Sequence, residues 1–110
     1  MGRFVKGDVV VLPFPFSDLS GSKRRPALVI APLETHDDLI LCMITSQRAG
    51  DNSTIPVGSA DFESGTLPRK SNIRPNRLFT AEGSIVMRLA GHLSSAKVDE
   101  VVKEIVRIIS

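Results

Sequence analysis

The sequence predicts a mainly β fold, a small and strongly bent antiparallel sheet or barrel that is followed by one C-terminal α-helix. Short apolar runs rich in β-branched residues are separated by turn residues as far as Leu89. The last segment instead repeats apolar residues at steps of three and four, which is the spacing of an amphipathic helix. A chain of 110 residues can bury one modest core, so we expect a single domain over residues 1–110.

The first strand is predicted at residues 9–12, a Val-Val-Val-Leu run that is too short for a helix. Pro13 and Pro15 follow it, and because proline cannot donate to a ladder, this end should be an edge or lie against a loop. Residues 17–25 are small, polar or basic, which predicts a loop. The second strand is predicted at residues 26–31, with proline as its first residue.

The third strand is predicted at residues 39–45, which are almost continuously apolar and should therefore lie in the middle of the sheet. A short edge strand is predicted at residues 54–57, and turns at residues 58–65. Residues 67–80 contain two prolines and alternate in part between apolar and polar side chains. In this segment we expect the core-facing residues to be Ile73, Leu78 and Phe79, and the solvent-facing residues to be Arg74 and Arg77.

The last strand is predicted at residues 85–89 and the helix after it. Ser94 or Ser95 is the expected N-cap, since a serine hydroxyl can accept from an unpaired N–H of the first helical turn. The predicted buried stripe consists of Val98, Val101, Val102, Ile105, Ile108 and Ile109.

Composition excludes several classes of protein. Hydrophobic residues make up 42% and charged residues 24%, which is typical of a soluble globular domain. Cys42 is the single cysteine, so no intrachain disulfide can form, and its apolar neighbours predict a buried thiol. The sequence has neither a signal-peptide pattern nor an apolar run that is long enough to cross a membrane. We therefore expect a cytoplasmic protein that does not bind a membrane.

The common catalytic and cofactor-binding motifs are also absent. The sequence has no Walker loop, no dinucleotide-binding glycine pattern and no nucleophile elbow. One cysteine and the two separated histidines, His36 and His92, do not form a zinc pattern. We expect no cofactor and no metal, which leaves cationic and hydroxyl side chains as candidates for chemistry.

Arg25 and Thr45 are the candidate catalytic residues. Arg25 lies at the predicted start of the second strand, where its planar guanidinium can hold two phosphate oxygens. Thr45 ends the third strand, and its hydroxyl can bind a phosphate or a ribose 2′-oxygen. The alternatives are a surface arginine beside a strand and a threonine that closes a strand by bonding to the next turn.

Further cationic and hydroxyl residues near these two positions, or in the basic segment before residue 80, are candidates for binding substrate. Each has an ordinary alternative as a solvated loop residue or as the outer face of a strand. These candidates are Ser20, Ser22, Lys23, Arg24, Ser46, Gln47, Arg74 and Arg77.

The order of these segments resembles the MazF/PemK family of toxin endoribonucleases from bacterial toxin–antitoxin pairs. The matching segments cover nearly the whole chain. They are Gly-Asp-Val-Val at 7–10, Gly-Ser at 21–22, Arg-Pro-Ala-Leu-Val-Ile at 25–30, Ile-Thr-Ser at 44–46, Ser-Asn-Ile-Arg-Pro-Asn-Arg-Leu at 71–78 and Leu-Ala-Gly-His-Leu-Ser at 89–94. Many members carry Gly-Ser-Glu-Gln in the first loop, whereas here Lys23 follows Ser22 and the loop is shorter and more basic.

The resemblance implies an SH3-like β-barrel with a C-terminal helix, usually a homodimer. It also implies sequence-selective, metal-independent cleavage of single-stranded RNA and inhibition by a small antitoxin whose disordered tail is acidic. Arg25 matches the catalytic arginine of the family, Thr45 its active-site threonine, and Ser22 or Ser20 a serine that helps to bind the scissile phosphate.

Such cleavage uses the ribose 2′-oxygen as nucleophile, so the protein has only to align the strand, neutralise charge and move protons. We predict that Arg25 neutralises the developing charge and that Thr45 orients the phosphate or the 2′-hydroxyl. The candidate general bases are Asp18, Glu34 and His36. Two other functions stay open: a nucleic-acid-binding barrel that cuts nothing, and a toxin of similar fold that poisons DNA gyrase.

Overall fold

We describe the protein from a computed structural model, in which residues 4–14, 23–34, 37–46 and 53–110 are described. These residues form one curled sheet of seven strands, in which every strand pair is antiparallel, and one C-terminal helix. The strands are β1 (Asp8–Phe14), β2 (Lys23–Pro32), β3 (Asp38–Thr45), β4 (Ile55–Val57), β5 (Phe62–Gly65), β6 (Ser71–Glu82) and β7 (Arg88–Leu93), and the helix is α1 (Ser95–Ile109). The predicted mainly β fold with one terminal helix is confirmed.

The strand order is β4-β6-β3-β2-β1-β7-β5, so β3 lies in the middle of the sheet as predicted. β1 pairs with β2 over Val9–Phe14 but with β7 only over Asp8–Val11. The end of β1 that contains Pro13 therefore has one neighbour, as expected for a residue without an N–H.

The sheet buries side chains on both of its faces. Alternate residues of each central strand belong to two separate clusters, because successive side chains of a strand point to opposite faces. The first cluster includes Val9, Leu28 and Ile44 and is covered by Val101 and Ile105 of α1. The second includes Val10, Val29, Leu41 and Phe14, whose ring meets Phe79 edge-on with centroids 5.0 Å apart.

The helix begins as the sequence predicted. The hydroxyl oxygen of Ser94 accepts a hydrogen bond from the Lys97 amide at 3.3 Å and so caps the first turn. The buried part of the stripe is Val98, Val101 and Ile105, whereas Ile109 at the end of the helix is 73% exposed. No helix in the described parts of the chain is long and apolar enough to cross a membrane.

Three expectations about local structure were wrong. Residues 58–65 form a short 3-10 helix (Ser59–Asp61) and β5 rather than turns alone. The last strand begins at Arg88 rather than at residue 85, because residues 83–85 form a 3-10 helix. β2 begins at Lys23, so Arg25 lies within the strand and not at its boundary with a loop.

The fourth correction concerns Leu78, which was expected in the core and is 40% exposed. β6 bulges beside β3: Cys42 pairs with Leu78 and Ile44 with Ile73, so Met43 faces residues 74–77. Pro75 lies in this bulge, where it has no N–H to donate to a ladder. The extra residues change the register, and a changed register moves a side chain to another face.

Candidate nucleic-acid-cleaving site

The candidate site is a cleft of about 400 Å³ at one end of the central strands. β1, β2, β3 and β7 contribute to it, together with the segment that connects β5 to β6. Its walls are formed by Val11, Arg24, Arg25, Pro26, Ile44, Thr45, Ser46, Leu67, Pro68, Arg69, Ser71 and Arg88.

The pairing of the strands explains why these residues meet. Ala27 of β2 and Met43 of β3 form the last pair of their ladder, and Arg25 and Thr45, which both line the cleft, each lie two residues beyond that pair. On the other side of β2, Pro26 pairs with Val11, which in turn pairs with Arg88 of β7. One row of residues across three strands thus brings the Arg88 and Arg25 regions of the chain together.

The cleft is strongly cationic. Arg24, Arg25, Arg69 and Arg88 line it, and no carboxylate is among the described residues that do. Within the parts of the chain that the structure describes, none of these arginines forms an ion pair; the ion pairs there join Lys97 to Asp61 and Glu100, and Arg107 to Glu104. The arrangement suits a polyanion, because guanidinium groups bind phosphate oxygens in pairs.

Arg25 and Thr45 differ from the surface residues around them in burial. Arg25 is half-buried, and Thr45 is only 9% exposed, whereas Arg24, Ser46, Arg69 and Arg88 are exposed. A guanidinium beside a buried wall is shielded from water on one side, so its attraction to a bound anion is stronger than at an open surface. The cleft therefore combines two shielded polar groups with a rim of exposed cations.

The structure brings four of the ten predicted site residues into this cleft, namely Arg24, Arg25, Thr45 and Ser46. Arg74 and Arg77 lie in the bulge of β6 and are not among the residues that line it. Lys23 is the first residue of β2, and its side chain is outside the described part of the structure. Ser20, Ser22 and Gln47 also lie outside the described residues.

Two cleft arginines were missing from the predicted site. They are Arg69, in the basic segment before residue 80, and Arg88, in the predicted last strand. Arg88 carried a usable signal, since it is a lone cation between the apolar residues Met87 and Leu89. Arg69 had no such signal, because its proximity to Arg25 depends on how the connection from β5 to β6 crosses the end of the sheet.

Of the three candidate general bases, Glu34 is in the described part of the structure, and it does not line the cleft. Glu34 is exposed and follows the opposite end of β2, about 20 Å or more from Arg25 along the strand. Asp18 and His36 lie outside the described residues. The described lining residues offer guanidinium and hydroxyl groups, so the chemistry that the cleft supports is charge neutralisation and alignment.

Neither Cys42 nor His92 belongs to the cleft. Burial raises the pKa of the Cys42 thiol to about 12, and the thiol donates to the Arg74 carbonyl oxygen at 3.0 Å. His92 contacts Asp8 through Nδ1 at 2.8 Å. No three His, Cys, Asp or Glu side chains are grouped as a metal site in the described portion of the chain.

Comparison with known proteins identifies a family. Residues 5–109 match the family described as PemK-like, MazF-like toxin of type II toxin–antitoxin system. No curated protein is detectably similar in sequence. Among solved structures, the fold is similar to a MazE–MazF complex from Deinococcus radiodurans, with a TM-score of 0.78 and 18% identity over 98% of this chain and 97% of that one.

Two further structures show the same likeness. MazF alone from Deinococcus radiodurans has a TM-score of 0.78 and 17% identity, with 99% of this chain and 98% of that chain covered. An endoribonuclease in complex with its cognate antitoxin, from a mycobacterial species, has a TM-score of 0.75 and 12% identity, with 96% and 93% covered. At these identities the likeness is one of fold.

Proposed function

The chain belongs to the PemK-like, MazF-like toxin family of type II toxin–antitoxin systems, and we propose that it is an endoribonuclease that cleaves single-stranded RNA at selected sequences. The observation that carries the proposal is the cleft in which Arg25 and Thr45 meet three further arginines. Similar structures are named as endoribonucleases, one of them in complex with its antitoxin. A single strand, unlike a duplex, can bend its backbone into a cleft of this size.

The proposed reaction needs no metal ion. The ribose 2′-oxygen attacks the adjacent phosphorus, the bond from phosphorus to the 5′-oxygen breaks, and the products carry a 2′,3′-cyclic phosphate and a 5′-hydroxyl. The 2′-hydroxyl loses its proton and the departing 5′-oxygen gains one. Both reacting oxygens belong to the RNA, so the protein contributes alignment and stabilisation of charge.

Arg25 has the central role in this proposal. Its guanidinium binds two oxygens of the scissile phosphate and neutralises the charge that grows on the pentacoordinate phosphorus. Half-burial strengthens that interaction relative to one in open water. A guanidinium stays protonated at any working pH, so we assign it charge stabilisation rather than proton transfer.

Thr45 and the remaining arginines position the strand. The Thr45 hydroxyl, on the wall of the same cleft as Arg25, orients the phosphate or the 2′-hydroxyl. Arg69 and Arg88 bind the phosphates on either side of the scissile one, and Arg24 adds attraction from the rim. The sequence adds Ser20, Ser22, Lys23 and Gln47 to this set as predicted substrate-binding residues.

The partners follow from the same cleft. An antitoxin with an acidic, disordered tail would place carboxylates among the four arginines and so exclude RNA, and structures of similar fold are named as MazE–MazF complexes. We further propose a homodimer, which would join two clefts along one strand of RNA. Cellular RNA is the substrate, so the proposed location is the cytoplasm.

The test is cleavage of a long single-stranded RNA by purified protein in the presence of EDTA. Wild type should produce fragments with 5′-hydroxyl ends, which a polynucleotide kinase labels without prior phosphatase treatment. Arg25→Ala should cut about 100- to 1,000-fold more slowly, the usual cost of removing one charge-stabilising donor. Lys103→Ala, which removes an exposed cation from α1 away from the cleft, is the control and should cut like wild type.

Three outcomes would contradict the proposal in different ways. Undiminished cleavage by Arg25→Ala would overturn the role of Arg25, and dependence on added metal would overturn the mechanism. Salt-sensitive binding that leaves RNA intact would favour a nucleic-acid-binding barrel, whereas intact RNA together with blocked DNA supercoiling would favour a gyrase poison.

A further inference from the structure

A second cavity, which we call the side pocket, adjoins the cleft. It has a volume of about 310 Å³ and shares the segment of residues 67–69 with the cleft, so this segment separates the two spaces. Arg69 borders both. A strand whose phosphate lies in the cleft therefore has a neighbouring space within reach of its next base.

The side pocket has the chemistry of a site for a flat, apolar ring with polar edges. Phe62 and Leu67, both half-buried, supply apolar wall, whereas Ser59 and Thr66 supply exposed hydroxyls. The Thr66 hydroxyl donates to the Leu67 carbonyl oxygen at 3.3 Å, which leaves its oxygen as an acceptor for a ligand N–H. Nucleobases have this combination of an apolar face and a hydrogen-bonding edge, and proteins bind unpaired bases beside aromatic side chains.

The wall of the side pocket is braced from behind. The Gly58 amide donates to Oδ2 of Asp61 at 2.8 Å, and Lys97 Nζ lies 3.7 Å from Oδ1 of Asp61. Lys97 also donates to the Pro56 carbonyl oxygen at 3.2 Å and thereby ties this wall to α1. A wall that is fixed before the ligand arrives discriminates better between ligands than one that must be ordered on binding.

We propose that the side pocket binds one nucleobase of the RNA next to the scissile phosphate and that it determines which base is accepted there. The inference rests on the proposed endoribonuclease function and adds a specificity-determining site to it. Arg69 holds the connecting phosphate at the boundary between cleft and pocket. The bordering residues Arg69 and Lys70 favour a nucleotide over a neutral ligand, and the cavity is at the small end of ligand sites, as expected for a single base.

Gly58 offers a way to close the side pocket without disturbing the fold. Its backbone is extended, with φ −132° and ψ −178°, so any residue can adopt this conformation. A Cβ atom built at this position meets no heavy atom within 4 Å, and Gly58 lines both the side pocket and the cavity next to it, so a longer side chain has room where these spaces meet. Gly58→Leu should therefore obstruct the pocket, whereas Gly58→Ala is the matched control for loss of the glycine alone.

The experiment maps cut sites on a long RNA of mixed sequence for wild type, Gly58→Leu, Gly58→Ala and Phe62→Leu, the last of which replaces the aromatic ring with a side chain that still fills the core. Wild type and Gly58→Ala should show the same base preferences around the cut. Gly58→Leu and Phe62→Leu should lose the preference at one position and keep it at the others. The rate at the best site should fall about 5- to 100-fold, the range expected when the interaction with one base is lost.

A binding measurement tests the assignment directly. With an uncleavable RNA that carries a 2′-O-methyl group at the cut, removing the preferred base should weaken binding to wild type by about 5- to 100-fold. Gly58→Leu should bind the abasic RNA and the complete RNA with the same affinity. The substitution and the missing base each remove the same interaction between base and pocket, so the second change has no further effect.

Three other outcomes would contradict the assignment of the side pocket. Unchanged base preferences in both Gly58→Leu and Phe62→Leu, with cutting intact, would overturn the side pocket and leave the endoribonuclease standing. Reduced binding of an acidic antitoxin peptide by Gly58→Leu, with base preferences unchanged, would assign the pocket to the antitoxin and overturn the proposal. If wild type binds RNA without cutting it, the affinities of wild type and Gly58→Leu can be compared for a set of RNAs that each lack one base. If no missing base weakens binding to wild type more than binding to Gly58→Leu, the assignment of the side pocket is overturned as well.

Discussion

Two polar regions of this protein differ in whether their charged side chains are paired. In the cleft, four arginines lie together and none is paired with a described carboxylate. Near the start of α1, in a group that we call the helix-start cluster (Asp8, Asp61, His92, Lys97 and Glu100), every member contacts an opposite charge or an imidazole. The paired charges stabilise the fold, whereas the unpaired ones repel one another and attract a polyanion, at some expense to stability.

The largest effect should come from neutralising the cleft. Replacing Arg24, Arg25, Arg69 and Arg88 together by glutamine should reduce RNA cleavage more than about 1,000-fold, because both charge stabilisation and phosphate binding are lost. The melting temperature should rise, since four like charges no longer repel each other. Circular dichroism measures the melting temperature, and the RNA assay measures the cleavage rate. A melting temperature that falls by several degrees would mean that these arginines stabilise the fold.

The helix-start cluster should respond in the opposite sense. Asp8 is 7% exposed and accepts hydrogen bonds from the Val5 amide at 2.9 Å and from His92 at 2.8 Å when Nδ1 carries the proton. Asp8→Ala leaves both partners without an acceptor, so we expect a loss of about 2 to 3 kcal/mol in the free energy of unfolding. Urea denaturation measures this free energy. Asp8→Asn keeps an acceptor oxygen and should therefore lose less stability. The folded Asp8→Ala protein should cut RNA at the wild-type rate.

Thr45 tests whether burial in the cleft serves function or stability. Thr45→Val keeps the shape of the side chain but removes its hydroxyl, and it should slow cleavage about 10- to 100-fold, as for one lost hydrogen bond to a charged group. Thr45→Ser should retain most of the activity. Single-turnover rates separate the chemical step from binding. Slow cleavage by Thr45→Ser, with Thr45→Val cutting at the wild-type rate, would show that the methyl group matters and not the hydroxyl.

Arg69 and Arg88 should act mainly through binding. Each replacement by glutamine should reduce the slope of log Kd against log salt by about 0.7, the value for one phosphate contact on a single strand. The same change at Lys103, which is exposed on α1, should leave the slope unchanged. Arg77 lies in the bulge of β6, outside the cleft, so Arg77→Gln tests whether the bulge also contacts RNA. A change in the salt slope equal to that of Arg69→Gln would mean that the RNA-binding surface includes the bulge.

The smallest effect should be at Lys97, the most connected cation of the helix-start cluster. Its side chain is 14% exposed, and it lies 3.0 Å from Glu100 and 3.2 Å from the Pro56 carbonyl oxygen. Lys97→Met keeps the aliphatic stem and should cost about 1 kcal/mol of stability or less, because partly exposed ion pairs contribute little. A loss of more than about 3 kcal/mol would mean that the cluster, and not the sheet, sets the stability of this end of the protein.

Local sequence patterns predicted most of the fold. The apolar run of β3 predicted its central place, and the three-and-four spacing after Ser94 predicted both the cap and the buried face of α1. The failures lie where tertiary pairing overrides local preference. Gly91 of β7 allows β5 to pair closely, because a Cβ there would lie 2.5 Å from the Ser64 carbonyl oxygen, and no pattern within residues 58–65 indicates this contact.

The candidate site could be predicted only in part for a related reason. Arg25 and Thr45 could be found because both stand at visible changes from polar to apolar sequence. The contribution of Arg88 depends on the pairing of β7 with β1, and that of Arg69 on the path from β5 to β6. Gly7 shows the same limit: its φ of +101° favours a glycine, but no local pattern indicates that a Cβ there would also lie 2.9 Å from the His92 ring.

The order of strands also governs when the site comes into existence. The cleft takes Val11 from β1 and Arg88 from β7, which pair directly although most of the chain separates them. Closing so long a loop costs entropy that is recovered only when the intervening strands are in place, and sheets with such distant pairings fold slowly. A chain in which β1 and β7 are not yet paired therefore lacks the complete cleft, so the proposed binding of RNA should appear in one step, at the rate at which the whole sheet assembles.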